Sequence, residues 1–172
     1  MLIVLLDADV IIDLHKFEVW EHIIKQNEIL ISSTILRREV YYYVDDFGFK
    51  HNIDLVKEAG RSFAEVSVKA EDLISFKQKF ERFILEELDP GELESLKILD
   101  DREDCSFSTC DKAAIKVIAL LGKREKGLSF EKLLKSSGIS KNLEYKHTEH
   151  YFKKYLDEGS ILRIQRFGLK EE

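Results

Sequence analysis

The chain reaches an aliphatic run almost at once, Leu2-Ile3-Val4-Leu5-Leu6, and ends it with Asp7. Consecutive aliphatics of strong β tendency, with no polar residue alternating among them, predict a strand covered on both faces. Such strands lie in the middle of parallel α/β sheets, where helices bury both sides and ligands bind just beyond the strands' carboxyl ends. The run therefore limits the fold to layers of helix and sheet. It also puts an acid where such folds do their chemistry.

A length of 172 residues with 44% hydrophobic content fits one ordinary globular domain with a small appendage. One proline and eight glycines leave little room for long linkers. No apolar stretch approaches the roughly 18 residues of a membrane span, and the first run is too short for a signal peptide and has no basic residue before it. The expectation is a cytoplasmic protein with no membrane partner. Cys105 and Cys110 fall five apart in one expected strand, so they should face opposite ways as reduced thiols. The net charge of −6 hides a division: residues 1–111 hold 13 Lys+Arg against 25 Asp+Glu, and residues 112–172 hold 14 against 8. An acidic body able to hold divalent cations, followed by a basic tail, suits a polyanionic substrate.

Apolar spacing predicts a helix over residues 10–26, a strand over 28–31, and a helix over 35–44 led by Ser32-Ser33-Thr34. A looser helix is expected over 45–60, a strand over 63–68 and one long helix over 71–88. Asp89-Pro90-Gly91-Glu92 carries a cap, proline at the first helical position and Glu three after the cap, which starts a helix to about residue 99. A strand over 105–110 leads into a helix opened by Asp111 and closed by Gly122. This alternation predicts a three-layer α/β/α fold with a mostly parallel central sheet, spanning residues 1–126. Residues 127–172 read as a basic, mainly helical extension: helices over 129–138 and 148–156, then a strand over 161–164. That order fits a small winged-helix-like module or an extension packed on the main domain.

Four acids stand out. Asp7 follows the first strand, and Asp9 is available as the helix cap in its place. Glu39 lies beside the apolar stripe of its expected helix, where a carboxylate is costly unless paired or bound to metal. Glu92 and Asp111 have capping roles open to them as well, so none of the four is compelling alone. Carboxylate oxygens without a His or Cys cluster suit hard cations, Mg2+ or Mn2+ rather than zinc. His147 and His150 lack a third ligand and read as surface residues.

The ordered set resembles a known family. Leu5-Leu6-Asp7-Ala8-Asp9-Val10-Ile11-Ile12-Asp13, followed by a Ser/Thr-led helix bearing Glu39, resembles the opening of PIN-domain ribonucleases. Asp89-Pro90-Gly91-Glu92-Leu93-Glu94-Ser95-Leu96 resembles the family's third-acid helix, and Ser108-Thr109-Cys110-Asp111-Lys112-Ala113-Ala114 its fourth-acid strand and helix. The likeness covers roughly residues 1–121. It implies that Asp7, Glu39, Glu92 and Asp111 bind Mg2+ or Mn2+, with Thr109 and Asp9 in support. It further implies RNA as substrate and, for the toxin members, a homodimer blocked by a small antitoxin protein. Asp9 departs from the Asn or Ser usual at its position, and the tail lies outside the likeness. Two rivals remain. Asp7-Ala8-Asp9 also resembles the nucleophile and acid pair of haloacid-dehalogenase-type phosphatases, although no later strand ends in their acidic pair. The basic extension alone would suit a nucleic-acid-binding regulator.

Overall fold

The computed structural model describes residues 1–171. Strand β1 (Ile3–Leu6) alternates its side chains between two cores: Val4 and Leu6 enter one, Leu5 the other, and all three are fully buried. Helix α1 (Ala8–Lys16) follows directly. The expected single helix over 10–26 is broken, because Glu18 adopts a left-handed φ of 57° and α2 (Trp20–Gln26) restarts beyond it. Strand β2 (Glu28–Ser32) runs parallel to β1, Ile3 opposite Glu28.

The largest departure from the sequence pattern lies between residues 35 and 60. A single π-helical turn, Ile35–Glu39, replaces the expected helix. The chain then forms an antiparallel hairpin of β3 (Tyr42–Val44) and β4 (Lys50–Asn52), turning through Gly48 at φ 85°. Helix α3 is only Leu55–Glu58. Strand β5 (Ala64–Val66) pairs parallel with β2. The long helix expected over 71–88 is two, α4 (Ala70–Gln78) and α5 (Arg82–Leu85). Residues 79–81 leave the helix because Phe80 bridges Leu169 and Glu81 takes Gly168 as main-chain partner at 2.9 Å.

Helix α6 (Pro90–Asp101) starts at its capping motif and leads to β6 (Ser106–Ser108), which pairs parallel with β1. Cys105 and Cys110, flanking β6, enter opposite cores as free thiols. Helix α7 (Lys112–Leu120) ends before Gly122 at φ 74°. Strand β7 (Gly127–Leu128) then joins β6, so the extension supplies the last strand of the sheet. Helix α8 (Phe130–Ser136) covers the β1-α1 core.

Helix α9 (Glu149–Ile164) runs on through the residues expected as a strand, which removes the winged-helix order. Gly159 does not break it: a Cβ there would collide with the carbonyl of Lys116, so the glycine lets α9 press against α7. The finished sheet reads β5-β2-β1-β6-β7, all parallel, with a helical layer on each face. No described helix is long and apolar enough to cross a membrane.

Candidate functional site

The strand order reverses between β1 and β6, and in open parallel sheets the crevice beyond that reversal is the usual ligand site. Asp7 stands at the end of β1. Thr109 and Asp111 follow β6, next to it, and the main-chain N–H of Asp7 donates to Ser108 O at 3.1 Å. Asp7 is 2% exposed. Its Oδ2 accepts from the Thr109 hydroxyl at 2.6 Å and its Oδ1 from the N–H of Ala8 at 2.8 Å. Asp7, and not Asp9, therefore caps α1. Asp9 is exposed on the first turn, where burial and then Asp13 raise its pKa.

The other three acids approach from separate elements. Glu39 ends the π turn after β2 and accepts from Gly91 N at 2.9 Å, one residue from Glu92. Glu92 completes the capping box by accepting from Asp89 N at 2.9 Å, and Asp111 caps α7 by accepting from Ala114 N at 2.9 Å. Glu92 lies within the electrostatic reach of Asp7 and Asp111, and Asp7 within that of Asp111. Asp7, Glu92 and Asp111 thus share one neighbourhood, and Glu39 adjoins it through the N–H of Gly91.

Each carboxylate commits one oxygen to a main-chain N–H. Capping and a second duty are compatible, because a carboxylate has two oxygens. Glu39 Oε2, Glu92 Oε1 and Asp111 Oδ2 make no hydrogen bond among the described residues. The acids do not stand as a finished coordination shell: no group of three His, Cys, Asp or Glu side chains among the described residues is close enough to hold a metal.

Burial raises the pKa of three of the four carboxylates, with neighbouring charges adding to it. Burial, ahead of the charges of Asp9 and Asp111, lifts Asp7 to about 7. Burial followed by the Asp7 charge lifts Glu92 to about 9. Glu39 is also raised, by burial and then by Asp89, Asp9 and Glu94. An all-oxygen donor set short of positive charge fits a hard divalent cation.

Sequence reasoning missed three groups around this site. Glu94, buried, accepts from Thr34 N at 2.8 Å and Val68 N at 3.2 Å, clamping the loops that follow β2 and β5. Asp13 is buried in α1 and pairs with His147 at 2.8 Å. His147 is 2% exposed, contrary to its reading as a surface residue, whereas His150 is exposed. Local spacing could not reveal a pair 134 residues apart. The tail's Lys146 lines a cleft of about 380 Å³ together with Asp9, Asp111 and Tyr151. The Tyr151 hydroxyl donates to Cys110 O at 2.8 Å and so ties α9 to the end of β6.

No protein-family model, curated protein or solved structure matches this chain.

Proposed function

We propose that the protein is a PIN-type ribonuclease that hydrolyses RNA phosphodiesters with the help of Mg2+ or Mn2+ held by Asp7, Glu39, Glu92 and Asp111. The observation carrying this reading is that Asp7, Glu92 and Asp111 lie within one another's electrostatic reach, with Glu39 bonded to Gly91 beside Glu92, and that each of the four has one oxygen fixed by a main-chain N–H. A bound divalent cation would polarise the phosphodiester and lower the pKa of a water for in-line attack. The residues prepare for that role. Thr109 fixes Asp7, the caps of α6 and α7 fix Glu92 and Asp111, and Gly91 fixes Glu39.

The test is hydrolysis of single-stranded RNA by the purified chain. Cleavage should require Mg2+ or Mn2+ and stop with chelator. Asp7→Asn should slow it by about a thousandfold while the chain stays folded, because ligand charge is lost and shape kept. Full activity of Asp7→Asn, or of the wild type in chelator, defeats the reading. Stable phosphorylation of Asp7 would favour the phosphatase.

A further inference from the structure

The basic residues of the extension are not equally placed. Arg163 donates to Leu120 O at 2.8 Å, at the end of α7 farthest from Asp111. Nine helical residues separate those ends, about 13 Å of rise. Arg124, just before the extension, is taken up by Asp157 at 2.5 Å. Lys146 is different, because it lines the same cleft as Asp9 and Asp111 and its side chain is 45% exposed.

The turn that carries Lys146, Tyr145–His147, is pinned from below. The His147 ring lies against Phe130, 4.6 Å between centroids, with Phe17 at its edge, and its Nε2 meets Asp13 Oδ2. Lys146 Nζ reaches the same Asp13 oxygen at 3.2 Å. Asp13 therefore retains a partner if the ammonium turns outward. A cation on an anchored turn loses little freedom on meeting a ligand.

We infer that Lys146 is a phosphate-binding residue of the cleft it shares with Asp9 and Asp111, through which the C-terminal extension grips a phosphodiester of single-stranded RNA. This rests on the proposed function and goes beyond it. Acids repel a polyanion, and Lys146, with Lys112 at the start of α7 in the same cleft, gives the strand a fixed point on the α1–α7 side.

The experiment measures anisotropy of a labelled single-stranded RNA oligonucleotide against the Asp7→Asn chain, with and without Lys146→Gln, across a salt titration. Lys146→Gln should weaken binding about tenfold and reduce the slope of log K against log salt by about 0.7, the value for one phosphate contact on a single strand. Lys146→Arg should restore both. In the otherwise unaltered enzyme, Lys146→Gln should raise KM and leave kcat within about twofold, as loss of uniform binding does. Lys146→Met, which keeps the apolar stem, should behave like Lys146→Gln and guards against a folding artefact. Unchanged slope and affinity in both variants, or a lowered melting temperature alone, would mean that Lys146 only neutralises Asp13 and would overturn the inference while RNA cleavage stood. Failure of the parent chain to bind RNA would overturn the proposed function, and this inference with it.

Discussion

Two walls of the cleft are built to different standards. On one, Asp7, Thr109 and Asp111 ride on the ends of adjacent central strands, β1 and β6, and are tied to one another. Thr109 donates to Asp7, and its oxygen accepts from Asp111 N at 3.1 Å. On the other, Glu39 sits on a lone π turn that leads into a hairpin with Phe47 and Phe49 exposed, and one N–H from Gly91 secures it. The first wall fixes its acid by burial and bears the cost in charge; the second leaves its acid half-exposed and adjustable. Under the proposed function, one fixed ligand and one that can follow would suit a cation and a moving phosphate.

The contrast can be tested first through pH. A carboxyl whose folded pKa lies above its unfolded value stabilises the fold below the unfolded value, and that stability is lost as pH rises through the folded value. The window runs from 3.8 to about 7 for Asp7 and from 4.5 to about 9 for Glu92. Without divalent cations the protein should melt lower at pH 8 than at pH 5, by on the order of 5–10 °C. Asp7→Asn should flatten the profile more than Glu39→Gln does. Equal flattening would erase the distinction between the walls.

A smaller effect is expected from Thr109→Val. It deprives Asp7 of a donor and Asp111 N of an acceptor, at about 1–3 kcal/mol for a buried group left unpaired. Scanning calorimetry should show a melting point about 5 °C lower, and Thr109→Ser should recover most of it. A neutral Thr109→Val would mean that the fixed wall does not depend on this link.

The smallest change in stability should come from Gly91→Ala. A Cβ there runs into the Glu39 carboxylate, a flexible side-chain end that can move aside. The helix gains about 0.5–1 kcal/mol from the exchange, so melting should hold or rise slightly. Millimolar Mn2+ should raise the melting point of the wild type by mass action, and less so for Gly91→Ala and Glu39→Gln. Equal shifts in all three proteins would place the cation away from Glu39.

The sequence spelled out the fixed wall because its signals are local. An aliphatic run marks β1, a four-residue cap marks α6, and Asp111 before Ala113-Ala114 marks α7. The adjustable wall was misread, since Leu36, Val40 and Tyr43 satisfy a helical period. The better signal was Tyr41-Tyr42-Tyr43-Val44 before Asp45-Asp46-Phe47-Gly48, a β-prone run followed by a turn. Ile161-Leu162-Arg163-Ile164 reads as a strand for the same local reason, and long-range packing at Gly159 overrides it. The Asp13–His147 pair and the Phe80–Leu169 bridge join distant residues and leave no trace in spacing.

The press of α9 on α7 also bears on the order of events during synthesis. Among the described elements α9 is the last to be made, yet it covers a helix that follows the fourth acid, and its Tyr151 holds the end of β6. Until those residues emerge, the chain carries its acids on a sheet whose outer helix is bare. Such surface favours association with chaperones or with other nascent chains. The groups that fix the four acids, all at or before Ala114, are thus made well before the helix that covers α7 and holds the end of β6.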